Sequence, residues 1–179
     1  MKNALVLLLT FFSGYCFAET YRLHSIEANF SARPVYKENG ALSGIQAIIG
    51  NDIYSLAEWR GTSPVTSTIF DGWAVRVISA MQEADPKLRF DDIRPEVKKF
   101  GDGGSMEERI FTSSGFYSLG RSTSLPFVTA SYGRVEPFCS SFYQAGVLCT
   151  GSDSDSARQS CLIKLQRFIA SFRTYCTKR

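Results

Sequence analysis

The sequence lacks most of the short motifs that identify enzymes. It contains a single histidine, His24, and no GxSxG turn, so a serine triad has neither its usual nucleophile turn nor a second candidate base. It also contains no P-loop, no GxGxxG fingerprint and no HExxH metal motif. The missing motifs exclude the commonest hydrolase, nucleotide-binding and zinc-protease patterns, and we expect no cofactor.

Long apolar runs are also missing, except at the N-terminus. Lys2 supplies a positive charge there, Ala4 to Phe12 form an apolar stretch, and Ala18 is a small residue at a cleavage position. The stretch is shorter than the roughly 20 residues of a membrane-spanning helix. The pattern predicts a signal peptide over residues 1–18, with no stable membrane insertion. We therefore expect a secreted or periplasmic protein.

The rest of the chain has the composition of one ordinary globular domain. Hydrophobic residues make up 44% of the sequence and charged residues 21%, values that disordered chains do not show. Residues 19–179 are enough for a single core. The net charge is only +3, and the polar face of the basic C-terminal helix has no aromatic residues among its charges. These features argue against nucleic-acid binding.

Four cysteines remain once Cys16 is removed with the signal peptide: Cys139, Cys149, Cys161 and Cys176. None of their spacings gives the close pairs of a zinc site, so we expect no metal. An even number of cysteines in an exported chain instead predicts disulfides.

The helical pattern limits how these cysteines can pair. Residues 157–176 show the spacing of an amphipathic helix, which Ser156 and Gln159 would cap as a pair. Cys161 and Cys176 would then lie about 22 Å apart along the helix axis, beyond the roughly 7 Å that a disulfide allows. We exclude that pair and favour Cys149–Cys161 with Cys139–Cys176. Two helices, 137–149 and 157–176, would form a disulfide-linked helical hairpin over residues 137–176.

The N-terminal part reads as mostly β-structure with one packed helix, which makes the expected fold class α+β. Apolar residues three and four apart predict a helix over 67–84 that ends at Asp85-Pro86. The other predicted features are a strand over 21–30, a hairpin turn at Asn39-Gly40, an irregular segment over 51–65 and strands within 110–132.

Three short motifs occur in an order known from one enzyme family. They are Tyr21-Arg22, Val65-Thr66-Ser67-Thr68 and Glu107-Glu108. In this order the chain resembles the secreted ADP-ribosylating toxin A chains of the cholera and pertussis type, which have a Tyr-Arg strand, a Ser-Thr-Ser strand and a glutamate turn. Here the triplet is Thr-Ser-Thr and the glutamates are adjacent.

The resemblance implies roles for these residues, with NAD as a substrate. Arg22 would hold the NAD phosphate, and Thr66, Ser67 and Thr68 would shape the nicotinamide pocket. Glu107 or Glu108 would stabilise the oxocarbenium-like transition state by its charge.

The function that we favour from the sequence is non-catalytic binding of a protein partner. An inhibitor or immunity-type protein is one form, and an accessory subunit of a secreted or surface assembly is another. The alternative is an NAD-dependent ADP-ribosyltransferase. A binding protein needs an exposed apolar or aromatic patch. The candidate aromatic residues, for which strand core is the favoured interpretation, are Phe111, Phe116, Tyr117, Phe127 and Tyr132.

Overall fold

A computed structural model describes residues 18–39, 42–61, 66–96, 107–120, 123–136 and 139–175. Residues 1–17 of the predicted signal peptide lie outside this part, as do Gly40, Val65 and Cys176. Within it, no helix combines the length and the apolar character needed to cross a membrane.

The described residues form ten strands, two α-helices and one short 3-10 helix. The strands are β1 Glu19–Arg22, β2 Ile26–Phe30, β3 Val35–Asn39, β4 Leu42–Ile49, β5 Asp52–Arg60, β6 Leu88–Glu96, β7 Glu107–Ser118, β8 Ser124–Glu136, β9 Ser141–Thr150 and β10 Arg173–Thr174. The helices are the 3-10 helix Ser67–Phe70, α1 Trp73–Ala84 and α2 Asp155–Ile169.

The strands form two antiparallel sheets. The large sheet has seven strands in the order β3-β4-β5-β9-β8-β7-β6, and the small sheet has three in the order β1-β2-β10. The chain is therefore an α+β protein, as its sequence predicts, in which sheet predominates.

Helix α2 and the small sheet cover one face of the large sheet, which we call the α2 face. Because side chains alternate along a strand, every second residue points to this face. On β9 these are Tyr143, Ala145 and Val147, all buried. They pack with the buried stripe of α2, which includes Leu162 and Leu165.

Helix α1 and the 3-10 helix pack on the opposite face, which we call the α1 face. Phe70 and Trp73 contact Phe142 edge-to-face, with ring centres 5.6 and 6.1 Å away. A Cβ atom at Gly133 would come within 2.9 Å of the Trp73 ring. Because Gly133 has no side chain, the Trp73 ring can pack directly against the sheet.

The predicted helical hairpin is wrong, because residues 141–150 form strand β9 rather than a helix. β9 lies in the middle of the large sheet, between β5 and β8. Its β-branched and aromatic residues suit a strand. Pairing with strands on both sides also satisfies the backbone hydrogen bonds of β9. The helix prediction depended on a few apolar residues and did not include this pairing.

The predicted disulfide Cys149–Cys161 is confirmed, with a Cα–Cα distance of 6.0 Å. It joins the end of β9 to α2 rather than two helices. Cys139 is also disulfide-bonded, but Cys176, its predicted partner, lies outside the described residues.

Helix α2 differs from its prediction at both ends. Ser154, not Ser156, caps its N-terminus, because the Ser154 hydroxyl accepts a hydrogen bond from the backbone N–H of Ala157. The helix ends at Ile169, since the chain turns there towards β10, which pairs with β2.

The remaining predictions have mixed outcomes. The helix over 67–84 is confirmed from Trp73 to Ala84, after a 3-10 turn. The single strand over 21–30 is instead two paired strands, β1 and β2. The segment 51–65 is not irregular, because residues 52–60 form β5, which pairs along its whole length with β4 and β9.

Removing the disulfide should lower stability. In the chain-entropy model, a cross-link across 12 residues of sequence separation contributes about 3 kcal/mol. The double variant Cys149→Ala/Cys161→Ala should lose about that much free energy of unfolding in urea titrations under oxidising conditions. Ser160→Ala, at an exposed neighbouring position, is the control. A double variant as stable as the wild type would contradict the prediction.

Gly115 should tolerate no side chain. A Cβ atom there would lie 1.8 Å from the backbone oxygen of Arg89 on the adjacent strand β6. Gly115→Ala should therefore lose about 3 kcal/mol in the free energy of unfolding. Gly120→Ala is the matched control, because nothing lies within 4 Å of its Cβ position. If both variants unfolded at the same urea concentration, β6 would be able to move away from residue 115 without loss of stability, and the prediction would be wrong.

Candidate functional site

Arg22, the candidate NAD-phosphate ligand, lies at the end of β1. Its guanidinium carbon is 4.7 Å from the centre of the Tyr175 ring, a cation–π distance. Its backbone oxygen accepts a hydrogen bond from the Tyr36 hydroxyl. Arg22 thus joins the small sheet to edge strand β3.

The candidate hydroxyl residues lie at the 3-10 helix. The hydroxyl oxygens of Thr66 and Thr68 are 2.7 Å apart. The side chain of Ser67 lies outside the description. The 3-10 helix packs on the α1 face through Phe70, whereas the small sheet with Arg22 covers the α2 face.

Of the two candidate glutamates, only Glu108 has a described side chain. It accepts a 2.8 Å hydrogen bond from the Tyr132 hydroxyl and lies 3.7 Å from Nε of Arg134. None of these contacts joins Glu108 to Arg22 or to the threonines. The structure thus brings Thr66 and Thr68 together and gives Arg22 and Glu108 separate partners.

A row of polar side chains crosses the large sheet on the α2 face. Strand register places Glu108 beside Arg134, Arg134 beside Tyr143, and Tyr143 beside Glu58. Neighbours in one register position point to the same side of a sheet. Sequence reasoning missed this row because its members are far apart in the chain.

Glu58 is the most deeply buried member, with no exposed surface. Its carboxylate accepts hydrogen bonds from the backbone N–H of Ser25 at 3.0 Å, from the Ser25 hydroxyl at 2.5 Å and from the Ser141 hydroxyl at 3.1 Å. The Tyr143 hydroxyl lies 2.8 Å from the same Ser25 hydroxyl, and burial raises the pKa of Tyr143. Glu58 thereby fastens the turn between β1 and β2 to the large sheet.

Arg134 supplies the positive charge of this row. Its Nη2 donates to Glu136 at 2.9 Å, and Glu136 is buried. Burial, and then the neighbouring Glu108 carboxylate, raise the pKa of the Tyr132 hydroxyl. Because its central side chains are enclosed, the row holds strands and a turn together and offers little surface to a ligand.

His24 has neighbours that the sequence did not reveal. Its Nε2 lies 2.7 Å from the Ser43 hydroxyl and 3.5 Å from a Glu38 carboxylate oxygen. In a catalytic triad the serine and the acid contact different ring nitrogens. Here both lie at Nε2, so the three residues form a partly buried polar cluster without the triad arrangement.

The aromatic residues proposed for a binding patch are largely core. Phe111, Phe127 and Tyr132 are at most 3% exposed, and Phe116 and Tyr117 are half-buried. This outcome agrees with the favoured interpretation of these residues as strand core.

An exposed apolar surface lies instead on β3, β4 and β5, on the α1 face. We call this surface the open face, and we define it by the side chains of Val35, Leu42, Ile48 and Trp59. They are 62%, 46%, 68% and 40% exposed. None of them belongs to the core cluster beneath α1, so the helix covers only the other half of this face.

The sequence contained a signal for the open face that was missed. Strand β4 carries apolar residues at both inward and outward positions: Ile45 and Ala47 point into the core, while Leu42 and Ile48 point out. Trp59 pairs with Leu42 and Ile53 with Ile48 across β4 and β5. The local pattern of 51–65 predicts an irregular segment, so the sequence does not predict the pairing of β5 with β4.

Described residues form no group of three or more histidine, cysteine, aspartate and glutamate side chains that could hold a metal ion.

The raised pKa of Tyr132 predicts loss of stability at alkaline pH. Above the usual tyrosine pKa of about 10, the unfolded chain releases the Tyr132 proton while the folded chain keeps it. The free energy of unfolding therefore falls as the pH rises. Urea titrations from about pH 8 to about pH 11 should show a smaller fall for Tyr132→Phe, which has no such proton. Parallel curves would contradict this assignment.

Comparison with known proteins assigns no function. No protein-family model matches this chain, and no curated protein matches it in sequence. The assignment of function therefore depends on the geometry described above.

Proposed function

We propose that the chain is an exported, non-catalytic protein that binds another protein through the open face. It would act as an inhibitor or immunity-type protein, or as an accessory subunit of a secreted or surface assembly. The observation behind this proposal is the presence of four exposed apolar side chains on one sheet face, where Leu42 pairs with Trp59 and Val35 lies near Ile48.

The composition of the open face supports a protein partner. Single exposed apolar residues are common, but contiguous apolar patches on a monomer are typical of interaction sites. The four side chains lie on three adjacent strands and include a tryptophan, a residue enriched at binding hot spots. Lys37 and Gln46, both exposed, point to the same side of the sheet and lie among these four residues, since Lys37 pairs with Gly44 and Gln46 pairs with Val35. They add polar groups within the open face.

The edge of the sheet supports the same proposal. β3 is the outermost strand beside the open face and pairs only with β4 in the described part of the chain. An edge strand presents backbone donors and acceptors to a partner. A partner on the open face could therefore also form hydrogen bonds to β3.

Export is supported by the signal-peptide pattern of residues 1–18 and by the disulfide Cys149–Cys161, because disulfides persist in oxidising compartments. The expected location is the periplasm or the outside of the cell. The transferase remains the second prediction, and an NAD titration with Arg22→Ala as control would test it.

The test of the binding function uses substitutions on the open face. The mature protein serves as bait for proteins secreted by its producer, and the captured partner is purified. Ile48→Asp should weaken its binding at least about tenfold, because it places a charge in an apolar interface. Calorimetry measures the dissociation constants, and Trp59 fluorescence reports contact with the face.

Val75→Asp is the matched control, since Val75 is 60% exposed on α1, away from the open face. It should bind as tightly as the wild type. Circular dichroism establishes that both variants fold. A partner that binds Ile48→Asp as well as Val75→Asp would place the interface elsewhere, and a mature protein that captures no partner would count against the binding function.

A further inference from the structure

A second feature, separate from the open face, is a cavity of about 380 Å³ on the α2 face. It opens where strands β2, β4 and β5 meet the second half of helix α2. Its wall includes Ile49, Tyr54, Lys164, Arg167 and Phe168. The volume lies in the range of small-molecule sites, which is roughly 300–1,000 Å³. The cavity is therefore large enough for a compact organic molecule.

Part of the cavity wall is apolar and already fixed by the core. The rings of Tyr54 and Phe168 contact edge-to-face, with their centres 5.4 Å apart. Phe168 contacts Phe30 in the same way at 5.1 Å, so its ring is held from two sides. Ile49 packs against the same core cluster. These side chains offer a preformed apolar surface to the hydrocarbon part of a ligand.

The Tyr54 hydroxyl is a polar group that the protein leaves available to a ligand. Tyr54 is half-buried, and its hydroxyl has no hydrogen-bond partner among the described residues. Burial, and then the Asp52 carboxylate, raise the pKa of this hydroxyl, while the charges of Lys164 and Arg167 oppose the rise. Both positive side chains therefore lie near the hydroxyl. At neutral pH the hydroxyl keeps its proton and can donate it to an acceptor.

Arg167 supplies a free positive charge on the same wall. The Lys164 ammonium donates to Asp52 at 2.6 Å, so its charge is already balanced. Arg167 is exposed, and it forms no hydrogen bond or ion pair with the part of the chain that the structure describes. Since Arg167 also lines the cavity, its N–H groups are accessible donors for an acceptor bound there.

The charges at the cavity favour a ligand with one negative charge. Arg167 leaves one positive charge unbalanced, and it lies in the last turn of α2, where the helix end carries a partial negative charge. A doubly charged ion is therefore less favourable than a singly charged one. Removal of residues 1–18 would take Ala18 from the wall and leave the α-ammonium group of Glu19 beside the cavity. The carboxylate of Glu19 itself offsets that charge.

We propose that this cavity binds a small amphipathic monoanion, a carboxylate attached to an apolar chain. The carboxylate accepts hydrogen bonds from Arg167, because its two oxygens match the planar donors of a guanidinium. The Tyr54 hydroxyl donates a further hydrogen bond. The apolar chain lies against the rings of Tyr54 and Phe168 and against Ile49. This site is independent of the open face and of the protein partner proposed for it.

The first test is a titration of the mature wild-type protein with octanoate, at constant ionic strength. Calorimetry measures the dissociation constant, and the methyl resonances of Ile49 in NMR spectra report where the ligand binds. Octanoate should bind with a dissociation constant of roughly 0.1–1 mM and shift the Ile49 resonances until they saturate. Shifts that do not saturate, or binding that leaves Ile49 unchanged, would overturn the proposal.

Two comparison ligands separate the charge from the apolar chain. Acetate has the carboxylate without the chain, so it should bind at least about tenfold more weakly because it buries little apolar surface. Octanamide has the chain without the charge, and it should also bind at least about tenfold more weakly. Octanamide that binds as tightly as octanoate would overturn the proposal of an anion.

Variants assign the site. Arg167→Gln should weaken octanoate binding about tenfold, because it removes the charged donor, and should leave octanamide binding unchanged. Arg60→Gln is the matched control, since Arg60 is an exposed arginine at the other end of β5 from Tyr54. It should bind octanoate as the wild type does. Both replaced side chains are exposed, so both variants should fold. Equal affinity of the two variants for octanoate would overturn the assignment to this cavity.

A last ligand tests the choice of a carboxylate. Octyl phosphate carries a similar chain, and at about pH 8 most of it is doubly charged. It should bind more weakly than octanoate, because the cavity has one unbalanced positive charge. Tighter binding of octyl phosphate would overturn the choice of a monoanion, whereas weaker binding supports it.

Discussion

Helix α2 lies across the middle strands of the large sheet and buries Leu162, Leu165 and Phe168 against them. The disulfide Cys149–Cys161 links β9 and α2 within this contact. The helix also leads the chain to β10, which completes the small sheet beside β2. The arrangement of the α2 face, including the turn that carries Ser25, therefore depends on how α2 packs.

The two faces of the large sheet are covered unequally. The α2 face has a helix and a second sheet over it, whereas the α1 face has one helix of 12 residues and a 3-10 turn. A seven-stranded sheet is wider than one helix, which has a diameter of about 10 Å against a strand spacing of about 4.8 Å. Among the described elements, none covers β3, β4 and β5 on this side, and their outward apolar residues form the open face.

Buried charges mark the places where elements must meet in one arrangement. Glu58 accepts three hydrogen bonds that tie the β1–β2 turn to β5 and β9. Arg158 ties α2 to β6 and β7 through Asp92 and Ser114. A buried charge without a partner is unfavourable. Moving one of these strands or helices would therefore break the pairing of a buried charge as well as apolar contacts. Arg158 differs from Glu58 because its Nη1, which is also buried, has no hydrogen-bond partner among the described residues.

Local patterns in the sequence determined a large part of this description. Helix α1, the antiparallel pair of β3 and β4, the strands within 110–132 and the Cys149–Cys161 disulfide follow from spacing, turn residues and cysteine geometry. Each depends on residues close together in the chain. Residues 141–150 and 52–60 were assigned incorrectly, because the pairing of β9 and β5 with distant strands outweighs their weak local preferences.

The candidate sites depended on tertiary structure. Apolar residues on both sides of β4 were visible in the sequence, but only the position of α1 decided which of them stay exposed. Likewise, the sequence shows Arg158 only as one of several charged residues of a helix. The packing of α2 against β6 and β7 buries it beside another cavity, near the N-terminus of α2. Periodicity assigns residues to the faces of a single element. What covers each face is decided by elements far away in the sequence, which the local pattern does not encode.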